Sequence, residues 1–128
     1  MTDKYKLIIP AGIEPRPRQH EIDVAIVLTE YFKADVEFVP RSNQQTPDFL
    51  IDGVLWELKS PQGKGKNNIE RQLKYALHQS ANVILDASRS KLHPDKIKRD
   101  AEYQFRILKP IKRLLFVPKD KKVIEIKR

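Results

Sequence analysis

The sequence contains no cysteine, one methionine, one tryptophan and only four glycines among 128 residues. The missing cysteines exclude a disulfide framework, a thiolate metal site and a cysteine nucleophile. They agree with a reducing compartment, and the expected site of action is a cytoplasm. No apolar run approaches the roughly 20 residues needed to cross a bilayer; Leu114 to Val117 is typical of the longest stretches. The first residues lack the basic-then-apolar pattern of a secretory leader, so a membrane is not an expected partner. Acidic residues are also scarce: 17 Asp and Glu against 25 Lys and Arg leave a net charge of +8. Such an excess draws a protein toward polyanions, meaning nucleic acid or an anionic membrane face. A merely solvated surface is the competing reading of the same charge.

What is present suits a folded domain. An apolar fraction of 40% is enough for one core, and the length predicts a single domain over residues 1–128. Residues 1–17 read as irregular because Pro10, Gly12, Pro15 and Pro17 interrupt any period. A helix is predicted from Arg18 to about Lys33, with Ile22, Ala25, Ile26, Thr29 and Phe32 as its apolar stripe. A strand follows over Val36 to Val39, then a polar loop from Arg41 to Thr46. Two strands, Asp48 to Ile51 and Val54 to Lys59, flank the turn dipeptide Asp52-Gly53. A basic loop from Pro61 to Lys66 leads to a second helix, about Asn67 to Ser80, and a buried strand, Asn82 to Leu85. A third helix opens at Pro94 and stops before Pro110. Arg113 to Val117 and Lys122 to Ile126 read as a closing hairpin. The order is αβββαβαββ, an α/β fold with a mixed sheet flanked by helices.

The Asp52-Gly53 pair carries most of the functional information. Both positions of a two-residue hairpin loop need positive φ, which this dipeptide tolerates. The register then runs outward from Ile51 opposite Val54 to Asp48 opposite Glu57. Opposed residues share a face, as do alternate residues along a strand. One face therefore carries Phe49, Ile51, Val54, Trp56 and Leu58, all apolar. The other carries Asp48, Leu50, Leu55, Glu57 and Lys59. Ion pairing of Lys59 with Glu57 explains part of this pattern. It leaves two neighbouring carboxylates at one end of a hydrophobic hairpin, a repulsion that a divalent cation relieves. Carboxylate oxygens suit Mg²⁺ or Mn²⁺.

Pro47-Asp48, eight intervening residues, and Glu57-Leu58-Lys59 together resemble the PD-(D/E)xK nuclease motif. The element order resembles the restriction-endonuclease-like αβββαβ core, here with an added C-terminal helix and hairpin. Within that superfamily, residues 18–90 resemble the tRNA-nuclease toxin domains that end contact-dependent growth inhibition proteins. The resembling features are Glu57-Leu58-Lys59-Ser60, Asn68-Ile69-Glu70-Arg71, Gln79 and Val83-Ile84-Leu85-Asp86. The resemblance implies Asp48, Glu57 and the Leu58 carbonyl as ligands of Mg²⁺ or Mn²⁺. Lys59 would then position the attacking water or stabilise charge on the phosphorane.

Further residues are candidates. Glu21 shares a helical stripe with Ala25, Leu28 and Phe32, and the resemblance implies a further metal-site acid from this helix. A carboxylate favoured by the helix dipole is the structural alternative. The resemblance also places Gln79 near the active centre. Lys64, Lys66, Arg71, Lys98 and Arg99 are expected to hold phosphates; nine basic residues lie between Arg89 and Arg113 against Asp95, Asp100 and Glu102. His93 reads as a cap for the helix opened by Pro94, and Trp56 as core. The expected function is metal-dependent endonuclease activity on RNA, tRNA in particular, with a cognate inhibitor or immunity protein as a further partner. A DNA endonuclease and a catalytically inactive nucleic-acid-binding module are the alternatives.

Overall fold

A computed structural model describes residues 5–41, 46–63, 65 and 67–128. In chain order the elements are β1 (Leu7–Ile8), α1 (Gln19–Phe32), β2 (Val36–Phe38), β3 (Phe49–Ile51) and β4 (Val54–Lys59). They continue with α2 (Asn68–Ala76), β5 (Asn82–Asp86), α3 (Pro94–Ile107), β6 (Arg113–Val117) and β7 (Ile124–Ile126). The seven strands form one mixed sheet whose spatial order follows the chain. Strands β2, β3 and β4 are antiparallel, β4, β5 and β6 are parallel, and β7 returns antiparallel on β6.

The helices divide the core into two apolar layers. On one face Val24, Ala25 and Leu28 of α1 pack over Phe49, Trp56, Leu58, Ile84 and Leu115. On the other, Ile69 and Leu73 of α2 and Ile97, Ala101 and Phe105 of α3 cover Val83, Leu85, Leu114 and Phe116. Trp56 is fully buried, 5.4 Å from the Phe32 ring, with the Arg113 guanidinium 5.0 Å over its own ring. Arg113 is in turn fixed by a two-point pair with Glu125 on β7, at 2.9 and 3.0 Å. His93 does cap α3, its Nδ1 accepting from the Asp95 N–H at 3.1 Å.

Several expectations change. The segment taken as irregular contributes β1, which pairs parallel with β2 through Leu7↔Val36 and Ile8↔Glu37. Two residues are too few to show a period. Ile26 is not core; it is 49% exposed. Helix α1 is apolar on more than one side, and the sheet takes the stripe that includes Ala25 and Leu28. The second helix ends at Ala76 rather than Ser80, because His78 and Gln79 bond to carbonyls only three residues back. Ser80 then donates its Oγ to the Leu55 carbonyl at 2.8 Å, tying the helix end to β4.

The hairpin forms with the expected inner register: Ile51↔Val54, Leu50↔Leu55 and Phe49↔Trp56. Asp52 and Gly53 take φ of 50° and 80°. A Cβ on Gly53 would meet nothing within 4 Å, so only backbone strain opposes substitution there. Gly53→Ala should therefore lower unfolding stability by about 1–2 kcal/mol, the ordinary cost of a left-handed L-residue. A denaturant titration should show an earlier midpoint at unchanged slope; an unshifted midpoint would mean that the turn is not held as described.

Candidate active site

The hairpin ladder ends one step before the carboxylates, and the way it ends places them. Asp48 does not pair with Glu57 in the backbone register. Its N–H instead donates at 3.0 Å to the Trp56 carbonyl, although Trp56 is already the partner of Phe49. Two residues of one strand facing one of the other is a bulge, a device that re-aims a side chain. Here it turns the Asp48 carboxylate onto the edge of β4, where Oδ2 accepts from the Leu58 N–H at 2.9 Å. On the opposite side the Val39 N–H donates to the Asp48 carbonyl at 3.0 Å. Asp48 is thus fixed from the residue that follows β2 and from β4 at once.

Glu57 is 4% exposed. Its Oε2 receives the Lys59 ammonium at 3.1 Å, the pairing expected of residues two apart on one strand face. Its Oε1 is buried with no hydrogen-bond partner among the described residues. Burial first, then the charge of Asp48 and a hydrogen bond shared with it, pushes the Glu57 carboxyl up from 4.5 to about 8, against the opposing pull of Lys59. With the carboxyl raised that far, its neutral form is favoured at neutral pH when no cation is bound. A cation between the two would satisfy the same oxygens with both groups ionised.

Glu21 reaches this site through an intermediary. Its Oε1 accepts from the Arg18 N–H at 2.7 Å, and its Oε2 lies 3.7 Å from Arg41. Arg41 also donates to Asp48 Oδ1 at 3.1 Å, so one guanidinium bridges the two acids. Among the described residues no three His, Cys, Asp or Glu side chains converge as a metal cage. The groups that fit a cation are Asp48 and Glu57, with the orphaned Oε1 as the observation that asks for one. The Leu58 carbonyl faces the same side as its N–H, because a strand residue presents both groups to the same neighbour.

The other candidates spread further. Gln79 lies in the turn after α2, beside Ser80, which holds the Leu55 stretch of β4. Arg71 is exposed on α2, with its guanidinium beside Gly65. Lys98 and Arg99 lie on α3, where Lys98 is 4.0 Å from Glu102. Lys64 and Lys66 fall outside the described residues.

Two groups escaped sequence reading. Arg41 had no pattern to mark it, being a loop residue whose role depends on chain folding across seven positions. The second is a polar relay next to Lys59, whose Ser60 and Asp86 the sequence marks only as points of resemblance, without a role. The wholly buried Asp86 accepts from Ser60 Oγ at 3.2 Å, and from the Ser88 N–H and Oγ at 2.9 and 2.6 Å. Ser60 Oγ in turn accepts from Arg89 Nε at 3.3 Å, which holds another guanidinium at this edge of the sheet.

With the geometry in place, comparison is decisive at the level of family. Residues 45–123, well over half of the chain, match the Contact-dependent growth inhibition CdiA C-terminal domain family. The chain belongs to that family. The fold agrees with a solved toxin from Burkholderia pseudomallei described as a CdiA-CT/CdiI toxin and immunity complex. The likeness has a TM-score of 0.64 at 21% identity, over 96% of this chain and 99% of the other. At that identity it speaks for the fold alone. No curated protein matches the chain. As a CdiA C-terminal domain, the chain falls in a family defined by growth inhibition, and no helix among its described residues is long and apolar enough to cross a membrane.

The raised Glu57 carboxyl sets a pH dependence of stability. Between pH 4.5, where an unfolded glutamate ionises, and about 8, the folded chain holds one more proton than the unfolded chain. Stability in chelator should therefore fall as pH rises through that window. Glu57→Gln, neutral throughout, should flatten the profile. Melting curves of the two proteins that stay parallel from pH 5 to 8 would show that the carboxyl is not perturbed.

Proposed function

We infer that the chain is a metal-dependent nuclease of the PD-(D/E)xK type, acting as the toxin of a growth-inhibition system. The observation that carries this reading is the Asp48–Glu57 pair, with Lys59 on one Glu57 oxygen and the other oxygen orphaned. A purely structural ion pair would leave no buried oxygen without a partner.

In this reading Asp48, Glu57 and the Leu58 carbonyl hold Mg²⁺ or Mn²⁺, and Glu21 supports the site through Arg41. A divalent ion there supplies Lewis-acid stabilisation of a phosphate and activation of a water. The chain supplies the rest. The bulge aims Asp48, and the Leu58 N–H fixes one of its oxygens. Lys59, partly buried against Glu57, stands where its ammonium can stabilise negative charge that grows on phosphate oxygens as water adds and the P–O bond breaks. Gln79 is assigned a supporting place on the same centre. Arg71, Lys98 and Arg99, together with Lys64 and Lys66, hold the flanking backbone by charge.

RNA, and tRNA within it, is the favoured substrate on family resemblance. The excess of 25 Lys and Arg over 17 Asp and Glu supports a polyanion in general. A cognate immunity protein is the expected inhibitor, since the solved toxin was captured with one. The cytoplasm of a target cell is the proposed site of action.

Incubating the chain with total RNA and with plasmid DNA, in Mg²⁺, Mn²⁺ or chelator, tests the reading. RNA should be degraded only with metal, and tRNA preferentially. Lys59→Ala should lower kcat by about 10²–10³ while substrate affinity holds. Parallel loss of affinity would make Lys59 a phosphate anchor, and unimpaired cleavage by Glu57→Ala would remove the nuclease assignment. Mn²⁺ should also raise the melting temperature of the wild type by binding the folded form. Asp48→Asn, which keeps an acceptor for the Leu58 N–H, should lose that increase. A variant that responds like wild type would move the metal elsewhere.

A further inference from the structure

Beside the carboxylate pair, and sharing Asp48 and Glu21 with it, lies a cavity of about 210 Å³. Its lining combines the apolar Ile13, Phe38 and Val39 with Arg16, Arg18 and Arg41, beside the two carboxylates. Arg41 is already engaged by Glu21 and Asp48. Arg16 and Arg18 are exposed and have no acidic partner among the described residues. Two guanidiniums without an ion-pair partner, beside apolar side chains, make a site for something anionic at one end and flat or apolar at the other. The volume is below the roughly 300–1,000 Å³ of pockets for drug-sized ligands, so the occupant is small.

We propose that this cavity binds one nucleotide unit of the substrate, immediately beside the bond that is cut. Arg16 and Arg18 take its phosphate, and Ile13 and Phe38 face its sugar or base. Guanidinium forks match phosphate oxygens in two-point geometry, which lysines at the same rim would not offer. The wall shared with Asp48 makes the position adjacent to the carboxylate pair rather than remote from it. Arg18 also immediately precedes α1, whose Glu21 holds its N–H, so the rim is built on a rigid element. Choosing a nucleotide over other small anions rests on the nuclease reading; the anion-and-apolar geometry does not.

The test uses the full chain in chelator, so that binding is read without catalysis. 5′-AMP, adenosine and inorganic phosphate are titrated while backbone amide resonances are followed. 5′-AMP should bind with about millimolar affinity and shift Ile13, Arg18 and Val39. Phosphate should bind more weakly and adenosine hardly at all. Arg16→Ala/Arg18→Ala should weaken 5′-AMP at least tenfold, and Ile13→Trp should block it by filling the cavity while leaving both arginines in place. Unchanged 5′-AMP binding in both variants, or shifts confined to another surface, would overturn the proposal. If no nucleic acid is cleaved under any metal but the variants lose 5′-AMP, the cavity stands and the nuclease reading falls. If RNA is cleaved but both variants bind 5′-AMP like wild type, the cavity falls and the nuclease reading stands.

Discussion

Two carboxylates held side by side away from water are a conflict that a fold must resolve, because each raises the cost of charging the other. Asp48 and Glu57 resolve it with three donors and one proton. The Leu58 N–H and Arg41 serve Asp48, and Lys59 serves one oxygen of Glu57. The remaining Glu57 oxygen is left for a proton or a cation. This arrangement is worth little to stability by itself, since well-packed apolar groups would serve a core better than a buried ionic cluster. Its presence in a strand otherwise as apolar as Trp56 and Leu58 is what favours the proposed chemistry over a purely structural pair.

The rest of the sheet makes that site accessible. Strands β4, β5 and β6 run parallel, so their carboxyl ends meet along one edge, at Lys59, Asp86 and Val117. Ligands of open α/β sheets bind in crevices beyond such ends. The buried Asp86 fastens Ser60 and Ser88 at that edge and, through Ser60, positions Arg89. The start of α1 and the end of β2 bring Arg18 and Arg41 to the neighbouring rim. Basic residues distant in sequence are thereby gathered around a small acidic centre, a charge pattern that suits the proposed phosphodiester substrate.

Local chemistry that repeats along the chain was legible from sequence. Asp52-Gly53 announced the hairpin, the hairpin implied the register, and the register put Glu57 and Lys59 on one face. Pro94 and His93 announced the start of α3. What could not be read depended on contacts without a period. Strand β1 is two residues long and takes its structure from β2. The bulge at Asp48 replaces the expected backbone pair with a side-chain contact, and nothing in Pro47-Asp48-Phe49 signals it. Ile26 is as apolar as Leu28, and only the sheet decides which one is buried. Arg41 and Arg16 sit in segments with no pattern and Arg18 only opens the predicted helix; what they face is set when the chain folds back onto Glu21 and Asp48.

The most direct test asks whether the carboxylate pair holds a divalent ion, independently of any substrate. Substoichiometric Mn²⁺ broadens amide resonances near its site, so a titration of the isotopically labelled chain locates the ion. A site formed by Asp48 and Glu57 predicts broadening centred on Leu58 and its neighbours, absent in Asp48→Asn. Broadening centred elsewhere, or unchanged in that variant, would contradict the claim on which the nuclease reading depends.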